Sequence, residues 1–188
     1  MAKKIGLIGH SQGGWIAQIV AAQNPNIAFI VNVAGPTADV WDQNLQDTES
    51  DFICEGMDQE EIKTALKKRE RELKTGRFLG KLLPFGDLGY WARIANFNSD
   101  ENIRQLTCPT LFLFAENDSM VPPGPNLEHL ESLFSTGVPN NIETVVVPET
   151  DHFFHFDDNS CFDFPETMSK PHSEIFYQKL DQWVDKLF

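Results

Sequence analysis

The sequence predicts an α/β fold: a mostly parallel sheet of about four strands with flanking helices and a helical lid insertion at about residues 39–106. Three observations predict it. Residues 5–8 (IGLI), 27–33 (IAFIVNV), 110–114 (TLFLF) and 142–147 (IETVVV) are apolar runs of strand length, bounded by Gly, Pro or Asn. Between them the spacing turns helical, as in Trp15, Ile16, Ile19 and Val20, and strands joined through helices run parallel. The first run ends at once in the turn GHSQGG, which sets Ser11 between a strand and a helix.

The elements follow in order. Asn24-Pro25 breaks the first helix, and the second strand stops at Gly35-Pro36. From about Asp39 to Leu106 the strand signal gives way to polar, helix-rich sequence. Its clearest helix opens on Asp58 and Glu61, a capping box, runs through Ile62, Ala65, Leu66 and Leu73, and is expected to stop at Gly76. The basic residues Lys63, Lys67, Lys68, Arg69 and Arg71 alternate with Glu60, Glu61, Glu70 and Glu72, so i,i+4 pairing on a solvated face explains them better than an anion site. Phe78, Leu79, Leu82, Leu83, Phe85, Tyr90 and Trp91 suit either a lid over a cleft or packing against the sheet. After the third strand comes Ala115-Glu116-Asn117-Asp118, then a helix carrying Leu127, Leu130, Leu133 and Phe134 that ends at Gly137 and Pro139. Pro148-Glu149-Thr150-Asp151-His152 follows the fourth strand, and residues 157–171 read as a loop. Phe176, Leu180, Trp183, Val184 and Leu187 form the apolar stripe of a closing amphipathic helix.

Length and composition narrow the function classes. A chain of 188 residues fits one domain with a sizeable core, and 41% hydrophobic against 23% charged residues is the balance of a globular protein. The formal net charge of -13 argues against nucleic acid or an anionic membrane as partner, because both would repel it. Cys54, Cys108 and Cys161 are odd in number and scattered, which fits neither a disulfide framework nor a zinc site. A reducing, cytoplasmic setting is therefore expected. The leading Met1-Ala-Lys-Lys has the charge of a signal peptide, but His10, Ser11, Gln12 and the glycines interrupt the apolar run that would have to follow.

The chemistry gathers behind three strands. GHSQGG matches the G-x-S-x-G nucleophile elbow, in which Gly9 and Gly13 leave room for a strained turn and the helix N-terminus behind Ser11 favours a developing oxyanion. A tight connection with Ser11 as helix cap is the plain alternative. A serine hydroxyl needs a base to take its proton and a third group to orient that base. His152 directly follows the fourth strand and Asp118 the third, so both belong to the sheet edge that carries Ser11. His155 is an alternative base, further from the strand end, and Asp151 an alternative acid, too near His152 in sequence to reach its ring readily. His10 is expected to point into the fold, His129 and His172 to serve the surface, and Asp157 and Asp158 to be solvated.

With these motifs in place the chain resembles the α/β-hydrolase superfamily, in its serine aminopeptidase and prolyl-oligopeptidase-like branch. GHSQGG resembles the family elbow, AENDSMVP its G-x-x-D-x-x-V-P turn, and PETDHFF its terminal G-x-D-H-x-F segment. Ala115 and Glu149 stand where glycine is common. The resemblance implies a serine hydrolase acting on a small ester, amide or peptide, with Ser11 as nucleophile, His152 as base, Asp118 as orienting acid and the Gln12 N–H in the oxyanion hole. No metal or organic cofactor is implied. It also implies an eight-stranded sheet whose fifth strand precedes the nucleophile, so this sequence corresponds to a partial α/β-hydrolase fold. Residues 5–8 would then form an uncovered apolar edge, open to self-association or to a complementing N-terminal half. A catalytically silent fragment or interaction module is the competing expectation, because the loop that gives the family its second oxyanion donor is not in this sequence.

Overall fold

A computed structural model describes residues 5–83, 85–159, 161 and 164–187, so the reading of the leading lysines lies outside the described residues. In chain order the elements are β1 (Ile5–His10), α1 (Gln12–Gln23), β2 (Ile27–Val33), α2 (Val40–Cys54), α3 (Gln59–Leu82) and α4 (Gly86–Ile94). They continue with α5 (Asp100–Arg104), β3 (Thr110–Ala115), α6 (Pro123–Ser132), β4 (Ile142–Val147), α7 (Phe164–Thr167) and α8 (Glu174–Asp185). The four strands form one sheet in the order β1-β2-β3-β4, and every pair is parallel.

β3 shows why the runs form strands. All six of its residues are buried, and its alternating side chains feed two cores, as the period of two requires. Phe112 and Phe114 join Ala21, Ile103 and Leu130 from α1, α5 and α6. Leu111, Leu113 and Ala115 join Trp183 of α8 on the other face, with Phe176 and Leu180 packed behind. A sheet covered on both faces reads as continuous apolar sequence, which is what residues 110–114 display. β1 differs. It is an edge strand, with Ile5 and Ile8 exposed and the α1 residues Ile16 and Val20 exposed nearby in sequence.

Among the described residues the segment between β2 and β3 holds α2 to α5 and no strand, and α3 is longer than its glycine predicts. The Asp58 and Glu61 capping box is formed, and the helix runs past Gly76 to Leu82. Gly76 is not among the glycines with positive φ, so it marks no stop, and beyond it Gly80 lets α4 approach, since a Cβ there would run into the Leu88 carbonyl. The glycine serves close helix packing, where a stop would have needed a left-handed residue. Lys63–Glu60, Lys68–Glu72 and Lys74–Glu70 pair along the exposed face. Arg69 departs from that face: it is half-buried and donates to Asn44 Oδ1 on α2 at 3.3 Å. No helix among the described residues is long and apolar enough to cross a membrane.

Two further expectations are corrected. Cys54 and Cys161 form a disulfide, leaving Cys108 free. It joins the end of α2 to the segment behind His152 across 107 residues of sequence, a pairing no local spacing could announce. Such bonds persist in oxidising surroundings, so the scattered cysteines no longer support a reducing compartment. Closing so long a loop is expected to stabilise the fold by about 2–4 kcal/mol. Urea unfolding with and without dithiothreitol, and of Cys54→Ser with Cys161→Ser, measures it directly. Residues 157–171 are also more than a loop. They contain α7, and Asp157 is buried against Lys170 Nζ at 3.3 Å, the opposite of a solvated carboxylate.

Candidate functional site

Among the described residues, four non-glycine residues have positive φ, all in the segments that follow β1, β2 and β4: Ser11 at 53°, Ala34 at 45°, Glu149 at 51° and Phe154 at 59°. Each such residue costs about 1–2 kcal/mol relative to ordinary backbone. Their concentration at one sheet edge is the pattern of a strained site held by its surroundings. Glu149 thus adopts the backbone form that suits glycine, and its N–H is fixed by Glu116 Oε2 at 2.8 Å.

Ser11 follows β1 directly. Its N–H donates to the Val33 carbonyl at 2.9 Å, extending the β1–β2 pairing into the turn, and it occupies the N-cap of α1. Its side chain makes no capping hydrogen bond, so a cap role does not account for the residue. The glycines around it divide differently from the sequence reading. A Cβ on Gly9 would strike the Gly13 carbonyl, and one on Gly14 would strike the Asn32 side chain, whereas Gly13 faces open space. The turn therefore needs Gly9 and Gly14. Gln12 opens α1, where first-turn N–H groups lack helical acceptors, and its side chain donates to the Tyr90 hydroxyl at 3.0 Å.

Asp118 and His152 meet below this turn. Asp118 Oδ1 accepts from the N–H groups of Met120 at 2.9 Å and Val121 at 2.8 Å, which fixes the carboxylate in a turn of its own loop. Its Oδ2 lies 2.8 Å from His152 Nδ1, and both side chains are buried. A carboxylate at Nδ1 favours the tautomer with its proton there, leaving the Nε2 lone pair free. His10 is exposed, contrary to expectation, and ties the two strand ends together. Its Nε2 sits 2.9 Å from the His152 carbonyl, and the two rings are 4.8 Å apart. No hydrogen bond joins Ser11 Oγ to His152 among the described residues.

The alternatives pair with each other. Asp151 Oδ1 accepts from the N–H groups of Phe153 and His155, and its Oδ2 is 3.6 Å from His155 Nδ1. His155 stacks on His172 at 4.2 Å and lines a cavity of about 280 Å³ that does not include Ser11. His129 pairs with Asp100 at 2.9 Å in a half-buried setting.

Ser11 opens instead into a cleft of about 320 Å³, shared with Gln12, Gln43, Asp47, Tyr90, Trp91 and Met120. Tyr90 and Trp91 thus face a cleft, whereas Phe78, Leu79, Leu82, Leu83 and Phe85 are exposed. Sequence reading missed Gln43, Asp47 and Asn126. Gln43 Nε2 donates to the Met120 carbonyl, tying α2 to the Asp118 loop. Buried Asn126 accepts from Thr37 N–H at 2.8 Å and donates to the Pro122 carbonyl at 3.0 Å, pinning the β2 exit to α6. Only the polar character of these residues on otherwise core-facing helix turns could have marked them.

Burial, with Asp51 and Asp118 nearby, pushes Asp47 up to about 6. An unfolded Asp47 ionises near 3.8, so the folded state holds its proton longer, and stability falls as pH rises from about 4 through 6. Asp47→Asn removes that penalty. The variant is expected to be more stable than the parent at pH 7 and to lose the advantage below about pH 4, as urea unfolding across pH would show.

Comparison with known proteins follows the same lines. A family model described as "BAAT / Acyl-CoA thioester hydrolase C terminal" matches residues 1–157. An esterase from Pyrococcus furiosus aligns with a TM-score of 0.54 and 14% identity, over 98% of this chain and 54% of that one. An alpha/beta hydrolase enzyme from the metagenome of lagoon sediments gives 0.51 and 14%, over 98% and 63%. A monoacylglycerol lipase from Paleococcus ferrophilus gives 0.56 and 13%, over 98% and 69%. At these identities the likeness is one of fold. The chain spans about half the length of the Pyrococcus furiosus esterase, and no curated protein sequence matched it.

Proposed function

Because the chain belongs to the BAAT / acyl-CoA thioester hydrolase C-terminal family, we propose that it hydrolyses a carboxylic ester or thioester through Ser11, His152 and Asp118. The observation that carries this reading is the buried 2.8 Å contact between His152 Nδ1 and Asp118 Oδ2, set beside a strained serine on the same sheet edge. Ser11 Oγ attacks the acyl carbon while His152 Nε2 takes its proton, and Asp118 stabilises the imidazolium that results. The Gln12 N–H donates to the oxyanion. The carbon–oxygen or carbon–sulfur bond breaks as His152 returns the proton to the leaving group, and water then releases the acyl group by the same steps. Esters and thioesters are preferred to amides because the matched family and relatives are named for those bonds. A fluorophosphonate probe is expected to label the chain at Ser11, with labelling lost in Ser11→Ala and His152→Ala. Absence of labelling on the folded chain sinks the proposal.

A second reading has its own observation. Ile5 and Ile8 are 53% and 64% exposed on the edge strand β1, which suits a surface that binds a second copy or a complementing N-terminal half. A monomer by size exclusion with full turnover would dismiss a purely interacting role.

A further inference from the structure

We propose that Asp47 gives the Ser11 cleft a charge preference, admitting neutral or cationic acyl groups and rejecting those that carry a carboxylate. This rests on the reading of that cleft as the place where the acyl group binds. Among the described residues lining it, Asp47 alone bears a formal charge; the other polar members are the hydroxyls of Ser11 and Tyr90 and the amides of Gln12, Gln43 and Asn44. A single half-buried carboxylate in such a cleft acts through a lower effective dielectric than bulk water, so its field is not fully screened. Tyr90 and Trp91 line the same space, and aromatic faces attract cations as well. An acyl carboxylate in this cleft would share it with Asp47, with no cation in the lining to offset the repulsion.

The groups that act on Asp47 come from every side. Asp51 lies one turn along α2, Asp118 and His152 act from the loops after β3 and β4, and Arg69 acts from α3. Arg69 is the fixed cation among them, and Nη2 of its guanidinium is engaged by Asn44 Oδ1. Asp47 is ionised above about pH 6, so the preference is expected to be full at pH 8 and to fade toward pH 5. A ratio of two substrates cancels whatever affects both turnovers alike.

The test compares kcat/KM for the p-nitrophenyl esters of 4-(trimethylammonio)butyrate and glutarate at pH 8. The parent is expected to prefer the cationic ester by about tenfold or more. Asp47→Asn should bring the ratio near one, and Asp47→Glu should retain it. An unchanged ratio in Asp47→Asn overturns the proposal. Absence of turnover on both esters would instead count against the catalytic reading, and a binding comparison then decides the charge preference. In Ser11→Ala, tryptophan quenching by 4-nitrobenzyltrimethylammonium and by 4-nitrobenzoate reports the same preference, since Trp15 and Trp91 line the cleft. Equal Kd values for the two, with Asp47 present, overturn the proposal whether or not the chain turns over.

Discussion

Ser11→Ala is expected to lower ester hydrolysis by about 10⁴- to 10⁶-fold while leaving the fold intact. The first half follows from the proposed chemistry, because Ser11 carries the one hydroxyl of the GHSQGG turn. The second half follows from structure. The Ser11 side chain makes no capping hydrogen bond, so its removal orphans no helix N–H that it had satisfied, and alanine is no more strained than serine at φ 53°. Stability is therefore expected to change by less than about 0.5 kcal/mol. Ser11→Gly separates the two effects further. It relieves the left-handed backbone at a cost in unfolded-state entropy, and is expected to be equally inactive yet at least as stable. Steady-state hydrolysis of p-nitrophenyl butyrate beside urea unfolding reads both quantities; a Ser11→Ala variant that retains activity would show that the nucleophile lies elsewhere.

Asp118→Asn carries the second largest expected effect, about 10⁴-fold in kcat. An asparagine amide would present N–H to His152 Nδ1. The imidazole would then carry its own proton at Nε2, where it can no longer accept one from Ser11. The loop should survive, because the remaining amide oxygen can still take the Met120 and Val121 N–H groups that Asp118 Oδ1 accepts. Asp118→Ala loses that as well and leaves two N–H groups without an acceptor, so it should cost stability in addition. Asp151→Asn supplies the contrast. It disturbs the pair with His155 outside the Ser11 cleft, and kcat is expected to stay within a few fold of the parent. Reversal of the two results would transfer the orienting role to Asp151.

The strands and the flanking helices were legible because each is written locally. A run such as TLFLF can only be buried on both faces, and the stripe from Phe176 to Leu187 can only cover a sheet. The elbow was legible for the same reason, although the sequence pointed to Gly9 and Gly13 where the packing requires Gly9 and Gly14. Gly14 is set by the Asn32 side chain on the neighbouring strand, and nothing within the motif records that neighbour. His10 was misread in the same manner: its exposure and its bond to the His152 carbonyl depend on where β4 ends. Asp157 looked like one more acidic loop residue until Lys170 closed over it.

By itself the sequence determined a parallel four-stranded sheet, a serine on a strained turn behind the first strand, and an acid and a histidine behind the third and fourth. Those properties depend on periodicity and on residues within a few positions of one another. Tertiary structure alone brought Asp118 against His152, the partner that the sequence expected, bonded Cys54 to Cys161, and set Asp47 in the cleft of Ser11. Each joins residues at least 34 positions apart. Such contacts are fixed by how helices and loops pack over the sheet edge, which no local pattern encodes.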